Sequence, residues 1–99
     1  MALVNRDTIL VRGRDLFSTS VDGDIVVFSV QAGAYFSLNR SGTQIWNMLA
    51  EPLNVGQVLD SLSQLNDADR EVVARDVTPF LQSLIYHHLL CVVEPKEVK

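Results

Sequence analysis

The chain has 99 residues, of which 47% are hydrophobic and 20% are charged, and its net charge is −4. This length and composition indicate one soluble globular domain. No apolar run reaches the about 18 residues that cross a bilayer, and the first residues lack the cationic start and apolar core of a secretory signal. The negative charge disfavours binding to nucleic acid and to anionic lipid.

We therefore expect a single domain over residues 1–99, with its core at residues 9–93 and a loose tail at residues 94–99. In the absence of a signal or a membrane-spanning run, we expect the protein in the cytoplasm, without a membrane partner.

The first half of the chain predicts a β-hairpin. Residues 8–11 predict a short leading strand, residues 16–21 alternate loosely, and residues 25–30 are rich in the β-branched residues that strands prefer. Asp22-Gly23 lies between the last two segments and supplies the positive φ angles of a two-residue type I′ turn.

A second reversal at residues 31–33 leads into a further strand at residues 34–38. Its side chains alternate, with Ala34, Phe36 and Leu38 on one side and Tyr35 and Ser37 on the other. The side with Phe36 and Leu38 is the better candidate for the core. If each strand pairs with the one before it, residues 34–38 form a free sheet edge, which can accept another chain as an added strand.

The second half of the chain predicts helices. Ser41 and Gln44 have the spacing of a capping box at the start of the first helix, and Asn54 and Gln57 have the same spacing at the start of the second. Pro52 ends the first helical segment. We expect Trp46, which follows the first cap, to lie in the core.

The third helix is predicted to begin near Asn66 or Asp67. Pro79 interrupts it, but the apolar stripe keeps its phase on both sides, which favours one kinked helix. A new helix that begins at Pro79, with Thr78 as its cap, is the alternative. The stripe consists of Val73, Val77, Phe80, Leu81, Leu84, Ile85 and His88. Residues 89–93 can return as a short strand.

No pattern in the sequence indicates an enzyme. Cys91 is the only cysteine, which excludes an internal disulfide, and its apolar neighbours predict a buried structural thiol. His87 and His88 are adjacent and would point about 100° apart on a helix, which suits a helix terminus better than a shared metal ion. Nucleophile-elbow and phosphate-loop motifs are absent. We expect no catalytic residue, cofactor or metal.

Three helices after a hairpin also suggest a winged helix that binds DNA with its third helix. Between Asp67 and His88, however, the chain has two arginines against four acidic residues, whereas each phosphate contact needs a cation. This balance argues against nucleic acid as a partner.

The ordered series of motifs resembles the PqqD family. The residues that carry the resemblance are the runs 21–28, 33–39 and 41–49, followed by Arg75-Asp76-Val77, Phe80-Leu81 and Leu84. The likeness extends over about residues 9–93. No single motif is diagnostic, and Pro79 departs from the family pattern in the third helix.

The resemblance implies an α+β fold, in which a three-stranded antiparallel sheet precedes a winged helix-turn-helix-like bundle of three helices. It also implies a function as a RiPP recognition element, a peptide chaperone in coenzyme PQQ or lasso-peptide biosynthesis. Such a domain binds the leader of a ribosomally made precursor as an added strand and delivers it to a radical SAM enzyme or a leader peptidase. Carried over to this chain, the site consists of Ala34, Tyr35, Phe36, Ser37 and Leu38 on the strand, with Val73, Asp76, Val77, Phe80 and Leu84 on the third helix.

Two other functions remain open at this stage. A free sheet edge also suits a homodimer formed by strand exchange, which concentration-dependent mass without a leader would reveal. A DNA-binding winged helix would bind duplex in a salt-sensitive way.

Overall fold

The computed structural model describes residues 5–93 and has an α+β fold, as expected. The strands are β1 Ile9–Arg12, β2 Leu16–Val21, β3 Asp24–Ser29, β4 Ala34–Ser37, β5 Leu53–Asn54 and β6 Leu90–Val93. The helices are α1 Arg40–Met48, α2 Val55–Asn66 and α3 Arg70–Tyr86. The expected tail at residues 94–99 lies outside the described residues. Within residues 5–93, no helix has the length and apolar character needed to cross a membrane.

The first sheet is an antiparallel meander of β2, β3 and β4. Val21 pairs with Asp24 across a two-residue turn, in which Asp22 has a φ of 54° and Gly23 a φ of 89°. These two positive φ angles are those of a type I′ turn, so the predicted hairpin is confirmed. The order of the strands places β4 at one edge of this sheet, also as predicted.

The second sheet, in which β1 lies between β5 and β6, was not predicted. Leu10 of β1 pairs with Leu53 on one side and with Val92 on the other. The leading strand therefore joins segments that lie far along the chain, and it does not extend the hairpin. Leu10 is fully buried, so this sheet closes the core beneath the helices.

The core lies between the two sheets and the three helices. Sixteen buried hydrophobic residues form one cluster. They are Leu10, Val27, Leu38, Ile45, Trp46, Leu49, Val55, Val58, Leu59, Leu62, Val73, Val77, Leu81, Leu84, Leu89 and Leu90. The expected burial of Trp46 is confirmed, since only 4% of this residue is exposed.

Polar contacts attach α1 to both sheets. The hydroxyl of Thr43 accepts a hydrogen bond from the backbone N–H of Ile25 (3.0 Å) and donates one to the carbonyl of Leu38 (3.4 Å). On the other sheet, Arg12 donates two hydrogen bonds to the carbonyl of Trp46 (3.1 and 2.7 Å) and lies over its ring at 4.5 Å. Burial lowers the pKa of the Arg12 guanidinium, which nevertheless stays charged and so favours both contacts.

The predicted capping box is present at the start of α2 but not at the start of α1. Asn54 and Gln57 form the predicted capping box, in which each side chain accepts a backbone hydrogen bond (2.8 and 2.9 Å). The box predicted at Ser41 is wrong, because Asn39 caps α1 by accepting from the backbone N–H of Gly42 (2.8 Å). Both asparagines thus satisfy N–H groups that a helix start leaves free.

The third helix begins later than predicted. Asp67 ends α2 in a left-handed conformation (φ 50°), and Asp69 caps α3 by accepting from the N–H of Glu71. The helix continues through Pro79, so the alternative of a new start there is wrong. Proline removes the bond that the carbonyl of Arg75 would accept, and both residues lie on the exposed side of α3, where water can replace it.

Two expectations at the chain's end need correction. His88, predicted as part of the α3 stripe, lies beyond the helix, is exposed and has a φ of 62°. Cys91 on β6 is half-buried, whereas we expected a buried thiol. The predicted return of residues 89–93 as a strand is confirmed by β6.

The hydrogen bonds of β4 have a definite phase, which is the set of residues that direct their backbone groups to β3. Leu38, which directly follows β4, donates its backbone N–H to the carbonyl of Ile25 (2.8 Å), and this pair continues the register one step beyond Val26 and Ser37. Because bonded and non-bonded pairs alternate in an antiparallel ladder, Phe36 also points its N–H and C=O towards β3. Tyr35 and Ser37 point theirs away from it.

Backbone amide exchange tests this phase without any ligand. We expect the amides of Phe36 and Leu38 to exchange slowly and those of Tyr35 and Ser37 to exchange at rates close to an open chain, because only the former donate within the sheet. Hydrogen–deuterium exchange followed by NMR gives the four rates separately. Equal protection of all four amides would contradict the assigned phase.

Candidate functional site

The free edge of β4 is the first element of the candidate site. Within residues 5–93, β3 is the only strand that pairs with β4. The N–H and C=O groups of Tyr35 and Ser37 therefore face away from the sheet, in a row that suits an added strand. Ser37 leads directly into Leu38 and the cap of α1, so the edge is short and its end is fixed.

The side chains of β4 alternate as predicted. Ala34 and Phe36 are half-buried and Leu38 is 6% exposed, so these three face the helices. Tyr35 is 74% exposed and Ser37 is also exposed, on the opposite face.

The second half of α3 forms a wall beside this edge. The ring of Phe36 lies 5.4 Å from the ring of His87, centroid to centroid. At the other end, a Cβ atom placed on Gly42 would lie 3.1 Å from both Leu38 Cβ and Phe80 Cζ, so the tip of the Phe80 ring reaches the space beside Leu38. Thus α3 runs antiparallel to β4. We call the space between β4 and the second half of α3 the groove.

The remaining predicted residues of α3 lie in two environments. Val73, Val77 and Leu84 belong to the core, and less than a tenth of each is exposed. Asp76 is exposed, and its carboxylate lies 3.8 Å from the guanidinium of Arg75, which is also exposed. Of the predicted helix residues, the structure thus brings Phe80 to the end of β4, buries the three aliphatic residues in the core and leaves Asp76 on the surface.

Sequence reasoning missed the polar end of the groove. A depression of about 290 Å³ lies there, lined by Ser29, Gln31, Ala32, His87 and His88. The sequence predicts only a helix terminus at His87, and this residue is indeed the C-cap of α3. Its contact with Phe36 joins residues far apart in the chain, and no local pattern indicates it.

An aromatic row on the outer face of the first sheet, exposed at both of its ends, was also missed. Phe17, Phe28 and Tyr35 are directly opposite one another in the register, and the rings of Phe28 and Tyr35 are 4.8 Å apart. Phe17 is 67% exposed, and Val21 of β2 and Val30, which directly follows β3, are about half exposed. The alternation of β2 indicates which of its residues share a face. Only the register shows that Phe17 lies on the same face as Phe28 and Tyr35, because residues opposite each other share a face.

Comparisons with known proteins agree with this arrangement. The family model described as "Coenzyme PQQ synthesis protein D (PqqD)" matches residues 24–90, which is more than half of the chain. The match runs from β3 to the start of β6 and so includes both walls of the groove. A search of curated proteins found no match.

Two solved structures are similar to this chain. TbiB1 in complex with the TbiA(beta) leader peptide is 30% identical, with a TM-score of 0.74 over 81% of this chain and 93% of that one. The PqqD truncation of Methylobacterium extorquens PqqCD, a RiPP recognition element, is 18% identical, with a TM-score of 0.73 over 89% of this chain and 94% of that one. The second likeness concerns the fold alone. Together with the family match, the first shows that this chain belongs to the PqqD family.

Proposed function

We propose that this domain is a non-catalytic peptide chaperone of the RiPP recognition type. It binds the leader of a ribosomally synthesised precursor as an added strand on β4 and presents it to a separate modifying enzyme. The observation that carries the proposal is the free edge of β4 beside α3, in a chain 30% identical to TbiB1, which has been solved in complex with a leader peptide.

Backbone groups supply the first part of the affinity. Tyr35 and Ser37 each offer one N–H and one C=O at the edge, and an extended leader can bond all four. Each bond contributes a net stabilisation of about 0.5–1.5 kcal/mol, whatever the leader's sequence. This contribution orients the leader without selecting it.

Side chains of the leader supply the selectivity. A leader residue opposite Phe36 points into the groove, as do those opposite Ala34 and Leu38, because cross-strand partners share a face. Beside Leu38 the groove is apolar, since the ring of Phe80 lies there and Leu38 itself belongs to the core. We therefore expect an apolar leader side chain at this end, while the exposed Asp76 contributes at most about 1 kcal/mol through a surface ion pair.

The partner enzyme needs a surface that the leader leaves free. The outer face of the first sheet is such a surface, and its aromatic row ends at Tyr35 on the strand that binds the leader. An added strand would extend this face, so an enzyme docked there would contact domain and leader together. Exposed apolar patches of this kind are typical of protein interfaces. By the family's chemistry, a radical SAM enzyme or a leader peptidase is the partner that we propose.

The same free edge suits a second copy of this chain, which would make a homodimer by strand pairing. Leader and second copy would then compete for Tyr35 and Ser37. Analytical ultracentrifugation over a range of concentrations, with and without leader, separates the two. A dimer that persists at saturating leader would place the dimer contact elsewhere.

A proline at Ser37 tests strand addition. Ser37→Pro removes an outward N–H without breaking a bond to β3, as edge positions allow. We expect the affinity for the leader of the cognate precursor to fall about tenfold or more, since one backbone bond is lost and the ring obstructs the edge. Isothermal titration calorimetry measures the change.

Ser18→Pro is the matched control. Val30 donates to the carbonyl of Asp15 (3.1 Å), so by the same alternation Ser18 points its N–H away from β3 on the opposite edge of this sheet. This variant should bind the leader with unchanged affinity. If both prolines weaken binding equally in folded proteins, the leader does not add to β4.

Truncation of Phe80 tests the apolar end of the groove. We expect Phe80→Ala to weaken leader binding by about fivefold or more, because it removes the ring beside Leu38. A thermal melt must accompany the titration, since Phe80 is half-buried and packs against the core. A folded variant with unchanged affinity would remove Phe80 from the site, and a variant that fails to fold would assign it to the core.

Removal of the Phe17 ring tests the docking face. We expect Phe17→Ala to leave leader affinity unchanged but to lower the partner enzyme's rate on the leader-bound precursor by about fivefold or more, since exposed aromatic anchors dominate interfaces. Leu65→Ala, at an exposed apolar residue of α2, is the control and should leave the rate unchanged. Equal rates for both variants would exclude the outer face as the docking surface for the partner enzyme.

A further inference from the structure

The depression at the end of the groove is rich in hydrogen-bond donors. Ser29 is 1% exposed, and its hydroxyl accepts from the backbone N–H of Ala32 (3.1 Å), which leaves the hydroxyl proton free to donate. Gln31 adds an amide, and each imidazole of His87 and His88 adds at least one ring N–H. These groups suit a ligand that accepts hydrogen bonds.

The distribution of charge along α3 also favours an acceptor. Within residues 5–93, no carboxylate forms an ion pair with His87 or His88. The charged residues of α3, from Arg70 to Asp76, all lie in its first half, and residues 77–86 carry no charge. A carboxylate brought to the second half of α3 therefore meets no acidic side chain of this helix and finds imidazoles at its end.

The register connects the depression with the edge of β4. Ser29 is opposite Ala34, so the two share the inner face of the sheet. A leader residue opposite Ala34 would extend this row at the end of the groove where the depression lies, whereas a residue opposite Leu38 would lie beside Phe80. Along a strand, positions four residues apart are separated by about 13 Å. The groove thus has one polar end and one apolar end at a fixed separation.

We propose that the polar end of the groove binds a carboxylate side chain of the leader, in register with Ala34, while the apolar end takes an apolar side chain four residues away along the strand. This inference rests on the proposed function and specifies the class of leader that the groove selects. For a leader of known sequence, the order of these two residues then fixes the direction of the added strand, because the two ends of the groove are not equivalent.

The experiment uses synthetic peptides of the cognate precursor's leader. Each acidic residue in turn is replaced by its amide, and every peptide is titrated against the wild-type protein, His87→Ala and Gln31→Ala. We expect one amide peptide to bind the wild-type protein about tenfold more weakly, the effect of a lost hydrogen bond to a charged group. His87→Ala should weaken the native peptide by a similar factor and leave that amide peptide unaffected. Gln82→Ala, on the opposite side of α3 from Phe80, is the control.

The imidazole resonances of His87 provide a second readout, which a merely structural role would not move. They should shift when the native peptide binds and stay in place with the critical amide peptide. Melting curves establish that the variants are folded. If a variant does not fold, the imidazole shifts of the wild-type protein decide instead.

The outcomes separate this inference from the proposed function. If the native peptide shifts the amides of Tyr35 and Ser37 but no acidic residue matters and the His87 resonances do not move, leader binding stands and the carboxylate subsite is wrong. A leader that binds through a segment without Asp or Glu also overturns the subsite. If the native peptide does not bind at all, the proposed function itself fails.

Discussion

The alternation of bonded and free backbone groups across the first sheet is the constraint on which the site depends. Because the Asp22-Gly23 turn contains two residues, Val21 and Asp24 close the hairpin as a bonded pair. Alternation along β3 then directs the groups of Asp24, Val26 and Phe28 to β2 and leaves those of Ile25, Val27 and Ser29 for β4. The free groups at the far edge are consequently those of Tyr35 and Ser37. An insertion of one residue in β4 would exchange the bonded and free groups and turn Phe36 to the outer face.

The start of α1 sets the geometry of the groove. Thr43 ties this helix to the ends of β3 and β4, and Arg12 ties its last turn to the second sheet. Gly42 lies between Leu38 and the ring of Phe80, where a side chain would lie within 3.1 Å of both. The apolar end of the groove is therefore narrow because α1 carries a residue without a Cβ atom at this point. A small helix thus controls how closely the strand and α3 approach each other.

Local patterns predicted the elements, whereas contacts between distant segments decided the rest. The hairpin, the alternation of β4 and the cap at Asn54 follow from residues within a few positions of one another. The cap of α1 does not follow from nearby residues alone. Asn39 and Ser41 are both good caps, and the choice between them depends on the sheet that engages Thr43. The pairing of β1 with β6 joins the two ends of the domain, and the contact of Phe36 with His87 joins the first sheet to α3. Neither of these contacts is indicated by a periodic pattern in the sequence. The core role of Val73 and Leu84 was visible in the stripe of α3, but the stripe alone does not distinguish a groove wall from a core.

A site made of backbone groups tolerates wide changes in sequence. The edge of β4 needs only an extended chain whose alternate residues direct their N–H and C=O groups outward. The fold persists in a structure that is 18% identical to this chain. Side chains at the edge are therefore free to vary without loss of the hydrogen-bond row. Selectivity must then come from the few residues at which the groove ends, Phe80 on the apolar side and His87 on the polar side. Because Phe80 lies on α3 and His87 is the C-cap of the same helix, substitutions at these two positions can change the selected peptide while the bonds to β4 stay the same.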